Sequence, residues 1–245
     1  MKKFLLSTIA FLLLIPGLRA QENDNKNLGW DFSIVEGDDE HPFCVDGVFG
    51  AGLSLGFGFP MGAPSGLDKC VVTDVNFDIL KFRFMEPGKK WWATWNIGIG
   101  LKNFTTTGEN RFLCDRDGNV GLGAYPAGTD AKNSDLLLLE SNFSLMLNRW
   151  MSKNQSLGIG AIWSIRDKRT SFCRSTYKDV DGKEVNEVGQ INGLHPYLFS
   201  LKLQYDNYRF RMPFYVYGKF TPMSEFRSGR GPKFSTMSFG IGMNF

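Results

Sequence analysis

The chain is poor in histidine and cysteine, has no excess of either charge once processed, and offers a single long apolar run. Its 245 residues hold two histidines, His41 and His195, and four cysteines, Cys44, Cys70, Cys114 and Cys173. Any imidazole-dependent mechanism must use one of those two histidines. The cysteine spacings of 26, 44 and 59 residues match no zinc pattern. The apolar run, Phe4 to Ile15, is shorter than the ~20 residues a spanning helix needs. Placed behind Lys2 and Lys3 and ahead of Pro16, Gly17 and Ala20, it reads as a secretory signal peptide over residues 1–20. No cysteine stands at Gln21, which argues against a lipid-anchored precursor. Cleavage removes Lys2, Lys3 and Arg19 and no acid, so the 28 basic residues fall to 25 and match the 25 acidic ones. A neutral mature chain lacks the electrostatic footing for nucleic-acid binding.

What the chain does have is glycine (28) and phenylalanine (22), arranged in alternation. In Phe234 to Phe245, Met237, Phe239, Ile241, Met243 and Phe245 share one face of a strand. Thr236, Ser238, Gly240, Gly242 and Asn244 share the other, because strand side chains repeat every two residues. Val48 to Phe59 alternates in the same way. Val72 to Phe84 changes phase, with Val75, Phe77 and Ile79 on one face and Leu80, Phe82 and Phe84 on the other, which predicts a β-bulge near Ile79 and Leu80. Trp91 to Leu101, Leu137 to Leu147, Leu157 to Ile165, Tyr197 to Tyr205 and Tyr208 to Phe220 bring the count to eight. Segments of about ten residues tilted near 45° span the ~25 Å apolar band of an outer membrane. The expected fold is all-β, an eight-stranded antiparallel up-and-down transmembrane β-barrel over residues 46–245, after a periplasmic N-terminal segment at 21–45. A soluble barrel would turn its bulk inward and leave rows of glycine on a wet surface, where they weaken strands.

Short links at Glu86 to Lys89, Asn148 to Asn154 and Asp206 to Asn207 alternate with long ones at 60–69, 105–134, 167–193 and 221–232. Short periplasmic turns and long external loops are the usual asymmetry, and an even strand count puts both termini in the periplasm. Aromatic belts are expected from Trp91, Trp92, Trp150, Tyr205, Tyr208 and Phe245 at the short-turn end. Phe57, Phe59, Phe104, Trp163 and Phe220 would form the other.

From Asn96 onward the chain resembles the outer membrane protein β-barrel domain family, PorT-like, within the OmpA/OmpX-like group of eight-stranded barrels. The residues that carry this are NIGIGLKNF before a loop with Asp115, Asp117, Gly118 and Asn119, then Thr221-Pro222, Gly229-Arg230-Gly231-Pro232 and the final SFGIGMNF. The resemblance implies the outer membrane of a Gram-negative-type bacterium and insertion by the barrel-assembly machinery. Phe239, Ile241, Met243 and Phe245 would then be the C-terminal assembly signal. It implies no catalytic residue and no cofactor.

His41 sits among Asp38, Asp39 and Glu40 in a solvated acidic turn. His195 lies at the external end of a strand, where a lipid-modifying barrel enzyme would keep its base, with Ser164, Ser171 and Glu187 as candidate companions that no motif fixes. The motifs at Asp115-Arg-Asp117-Gly118 and Asp179-Val-Asp181-Gly182 show half a calcium loop each and read more simply as Asp-Gly hairpin turns. Among the cysteines, Cys44 lies below the membrane and the other three above it. A disulfide between Cys114 and Cys173 would tie the two longest loops, with Cys70 as the competing partner.

Inward positions combine Asp74, Asp78 and Glu140 with Lys102, Arg166, Lys202, Arg209, Arg211 and Lys219, beside Tyr215 and Tyr217. An eight-stranded barrel is just wide enough for side chains to fill, so ion-paired packing is expected, with a narrow polar cavity as the alternative. The functional expectation is a non-enzymatic barrel in contact with outer-membrane lipid, presenting loops such as those with Tyr125, Phe172 and Tyr177 to an extracellular ligand or protein, or supporting envelope integrity. A lipid-modifying enzyme and a small-solute pore are the alternatives.

Overall fold

The computed structural model describes residues 51–67, 69–85, 90–107, 109–166, 168–209 and 213–244. The signal peptide, the 21–45 segment, His41, Cys44, Pro87-Gly88, Phe210, Arg211, Met212 and Phe245 lie outside the described residues.

Eight strands close a ring: β1 (Gly52–Met61), β2 (Cys70–Met85), β3 (Trp91–Thr106), β6 (Asp130–Ser152), β7 (Gln155–Arg166), β10 (Tyr197–Asn207), β11 (Phe214–Thr221) and β12 (Ser235–Asn244). Each pairs antiparallel with its chain neighbour, and β1 with β12 completes the circle. The closing register sets Leu55 against Ile241, Gly56 against Gly240 and Phe57 against Phe239. Bulk therefore meets bulk outside and glycine meets glycine inside. Closure leaves no free edge, the condition for β-structure to cross lipid. The register of β2 on β3 shifts between Asp78 and Leu80, so Ile79 is the extra residue that restores the apolar phase.

The exterior is oily by the same period of two. Leu145 is 59% exposed, Ile159 60% and Ile241 63%, while their strand neighbours Ser144, Met146, Gly158 and Gly242 are buried. Water would penalise such a surface and hydrocarbon would not.

Inside, the glycine rows are filled by tyrosine. A Cβ on Gly240 would come within 2.7 Å of Gly56 Cα and Tyr217 Cε1, and one on Gly242 would overlap the Tyr215 ring. The Lys202 ammonium lies 4.8 and 4.7 Å from the centres of those two rings. Deeper in the wall Asp74 pairs with Lys219, and Asn76 donates to Asp74 at 2.7 Å. Asn142 in turn donates to Asn76 at 2.7 Å and Ser164 to Asn142 at 2.6 Å. A small gap remains between Ser54, Asn76, Asp78, Ser144, Lys202 and Lys219.

The short-turn end is stoppered from within. Trp92 is buried and packs, tilted, against Trp150 at 5.7 Å, Trp150 meets Tyr208 at 5.1 Å, and the Arg83 guanidinium sits 4.6 Å over Trp92. Trp92 and Trp150 thus leave the expected interfacial belt, because their parity along β3 and β6 points them inward, opposite Trp91 and Arg149. Phe104 is likewise fully buried instead of lipid-facing. The expected turn at Asp206-Asn207 is strand: Asp206 is an inward carboxylate that accepts from Gln204 at 2.7 Å and Ser156 at 3.2 Å, so β10 runs on to Asn207. Arg209 consequently falls in the turn, exposed, its backbone N–H on Asn207 Oδ1 at 3.0 Å, and takes no part in the lumen.

Candidate functional site

The long loops are not loose. The second contributes the hairpin β4 (Asn110–Cys114) with β5 (Val120–Ala124), and the third contributes β8 (Phe172–Lys178) with β9 (Glu184–Gln190). β6 has 23 residues, more than the ~25 Å apolar band requires, and its surplus pairs with β8 from Asp130 to Leu137. The β8–β9 hairpin is therefore an outward continuation of the barrel wall, whereas β4–β5 is a separate two-stranded sheet lying against it.

Both hairpins turn at their Asp-Gly motifs. Asp115 Oδ1 accepts from the backbone of Asp117 at 2.9 Å and Asn119 at 2.8 Å, and Asp179 Oδ1 from Asp181 at 3.0 Å and Lys183 at 2.9 Å. Gly118 and Gly182 take the left-handed conformation, with φ of 77° and 78°, that the turn demands. These carboxylates are spent on backbone donors. Asn119, through its side chain and then its backbone, holds the Asp115 carboxyl below its ordinary range. Among the described residues no cluster of three or more histidine, cysteine or acidic side chains is placed to hold a metal.

Beneath the hairpins lies an apolar core: Leu67, Phe104, Phe112, Leu136, Leu138, Ile191, Leu194, Phe226 and Phe234 are all buried. It belongs to the long-loop end rather than to the barrel proper. Residues 191–195 are its crossroads. Gly118 O accepts from Asn192 N at 2.8 Å, Arg227 N donates to Gly193 O at 2.9 Å, and His195 N donates to Glu225 O at 3.0 Å. Val120 N reaches Arg230 O at 2.9 Å, and the Arg230 guanidinium reaches Asn119 Oδ1 at 2.9 Å.

The fourth loop, between β11 and β12, enters the barrel mouth. Glu225 is fully buried there. Its carboxylate takes Lys102 Nζ at 2.6 Å, Arg166 Nη2 at 2.5 Å and the Thr236 hydroxyl at 3.0 Å, while Arg166 also reaches Glu140 at 3.2 Å. Burial pushes the Glu225 carboxyl up, but the Arg166 and Lys102 cations outweigh it and hold the group at about 2. The lumen is thus closed at this end by a plug whose charge cancels charges in the wall. Glu225 was not singled out in the sequence. Its signal was the surplus of inward cations over inward acids, which asked for one more carboxylate.

Of the other anticipated residues, Asp74, Asp78, Glu140, Lys102, Arg166 and Lys202 all project into the lumen, divided between the plug and the middle tier. Ser164 is engaged with Asn142 inside the wall, and Glu187 binds Arg111 at 2.8 Å and the Tyr177 hydroxyl at 2.6 Å. The Tyr177 hydroxyl, then Arg111, keep the Glu187 carboxyl below its ordinary range against its partial burial. Tyr125 and Tyr177 flank the Arg111 guanidinium at 5.5 and 5.1 Å. That cluster fastens one hairpin to the other.

A closed antiparallel barrel with an apolar exterior, a charged and filled interior and a folded cap is an integral membrane β-barrel of the outer-membrane type. No family model and no curated protein matches the chain. Among solved structures it is similar to Ail, the attachment invasion locus protein of Yersinia pestis. One such structure, in complex with the heparin analogue sucrose octasulfate, aligns with 80% of this chain and 99% of that one at 10% identity and a TM-score of 0.36. A second Ail structure gives the same identity and coverage at a TM-score of 0.34. A triple mutant of the Rhodopseudomonas blastica porin covers the same shares at 9% identity and a TM-score of 0.19.

Proposed function

We propose that this chain is a non-enzymatic outer-membrane barrel that presents its long-loop end at the cell surface as a rigid contact platform. The observation that carries the reading is the cap. Four connections are folded around a common apolar core and locked to the barrel through the buried Glu225 carboxylate. Loops that only join strands need none of this, and ordering them costs entropy that a rigid recognition surface repays on binding. In this reading the signal peptide at 1–20 is removed and residues 21–45 and both termini are periplasmic. The barrel-assembly machinery reads Phe239, Ile241, Met243 and Phe245, and lipid covers the apolar exterior. The PorT-like assignment rests on the resemblance from Asn96 onward, strongest over 221–245, and belongs to the same proposal.

Two features weigh against the alternatives. The plug at one end and the Trp92, Trp150 and Tyr208 stopper at the other favour an occluded barrel over a pore. Ser164 and Glu187, which a lipid-modifying site would recruit beside His195, are bonded to other partners.

The test compares cells expressing the wild-type protein with cells in which residues 110–124 are replaced by a short Gly-Ser turn. Surface protease and biotin should reach the cap in intact cells, and attachment to matrix-coated surfaces or to other cells should drop in the variant. Equal attachment by both strains would refute the platform role. A changed outer-membrane lipid profile in the variant would point to the enzyme instead.

A further inference from the structure

We infer that Cys114 and Cys173 are joined as a cystine in the mature protein, clamping the β4–β5 hairpin to the sheet that continues the barrel wall. Cys114 ends β4 and Cys173 lies near the start of β8, two elements with no ladder between them. The structure nevertheless brings their side chains to one place, with the Cys114 thiol on the Gln190 carbonyl at 3.2 Å, next to Gly189 that faces Cys173. Gly189 makes the approach possible. It stands opposite Cys173 in the β8–β9 ladder, and a methyl there would overlap Cys114 Cβ while lying 3.2 Å from Cys114 Sγ and 3.4 Å from Cys173 Sγ. Both sulfurs thus lie within 3.4 Å of one point, and rotation about the side-chain bonds is the movement that brings such a pair to the ~2.05 Å of a disulfide. Cys114 is half-buried and Cys173 buried, so an incoming reagent meets Cys114 first. Cys70 sits in the apolar core, its thiol directed at the Val71 carbonyl at 4.0 Å.

The tie would add a covalent link to the contacts that already hold the hairpin. It is held by Phe112 and Val120 in the core, by Phe112 N on Ser134 Oγ at 2.9 Å, by the Ser175 hydroxyl on Phe112 O at 3.0 Å and by the ion pair of Arg111 with Glu187. The oxidant is a disulfide of an envelope thiol–disulfide oxidoreductase. The Cys114 thiolate attacks it to form a mixed disulfide, and the Cys173 thiolate then attacks Cys114 Sγ and expels the second oxidant sulfur. One S–S bond forms in the barrel and one breaks in the oxidant, whose two sulfurs take up the two protons lost by the cysteines. This inference goes beyond the platform reading and stands whether or not a partner for the cap is found.

The test is to quench cells in acid, unfold and alkylate the protein in denaturant without reductant, digest with trypsin and analyse by mass spectrometry. The expected species is Phe112–Arg116 linked to Thr170–Arg174, with the alkylating label on Cys70. Label on both Cys114 and Cys173, or a link from Cys70 to either, overturns the inference. As a second measurement, trypsin should cut at Arg116 about tenfold faster or more in Cys114→Ser/Cys173→Ser than in wild type, and reductant should bring wild type to the variant's rate. A wild-type rate unmoved by reductant and equal to the variant's would also overturn it.

Discussion

Replacing Glu225 by glutamine keeps the shape of the plug and its contact with Thr236 but removes the charge that faces Lys102 and Arg166. Both cations are almost wholly buried, with side chains 2% and 1% exposed, so after the change Arg166 keeps only Glu140, Lys102 keeps only a longer-range attraction to Asp74, and both lie too deep for water to compensate. Removing one partner of a buried ion pair costs about 3–5 kcal/mol. The lowered carboxyl gives a second figure for the same ion pairs. A carboxyl held at about 2 instead of its ordinary 4.5 is worth about 3 kcal/mol to the closed cap. The folded value is the lowered one, so this stability is present above about pH 4.5 and is lost as the pH falls towards 2. In Glu225→Gln the loss should be constitutive and the dependence in that window flat. About 3 kcal/mol is roughly a hundredfold in the population of open cap. Trypsin at neutral pH should therefore cut the purified variant in detergent at Arg227 and Arg230 up to about a hundredfold faster than wild type. Pepsin should show the wild type approaching the variant as the pH is lowered from about 4.5. Identical cleavage rates at neutral pH, or a wild type whose protection is unchanged between pH 5 and pH 2.5, would refute the plug as the lock of the cap.

Three further outcomes follow from the wall. Gly240→Val should sharply reduce folding yield into liposomes, because its branches would collide with Gly56 and the Tyr217 ring, and adding Tyr217→Ala should restore part of it; heat-dependent gel mobility reads both. Ile241→Arg, near the middle of the lipid face, should cost about 2–4 kcal/mol in the folding equilibrium, whereas Val188→Arg, comparably exposed but on the cap, should change it by less than about 0.5 kcal/mol. In planar bilayers the wild type should give a flat current, and Trp92→Ala or Glu225→Gln alone should add little, because the other stopper stays in place. Steady channel steps from the wild type would restore the pore reading.

The alternation of bulk with glycine was enough to set the number of strands in the wall, the face that meets lipid and even the bulge near Ile79 and Leu80. Each of these depends on the period of two within one segment or on the order of neighbouring segments. The ends of strands were less legible. Asp206 looked like a turn residue because a charged pair after an apolar run usually is one, and only its partners Gln204 and Ser156 show it to be lumen. Trp92, Trp150 and Phe104 were assigned by their nearness to a membrane boundary, although their parity already pointed them inward.

By itself the sequence determined that this chain must be a barrel with oil outside and charge within, since hydropathy along a strand is a local property. Only the tertiary structure decided that the barrel is stoppered at both ends, that four loops share one core, and that Glu225 supplies the missing carboxylate. Those features arise where segments distant in the chain meet: Glu225 lies 123 residues from Lys102, and Cys114 lies beside Gly189 of another hairpin. No periodicity records such meetings, because they are set by which loops can bury apolar surface and cancel charge together once the wall has closed.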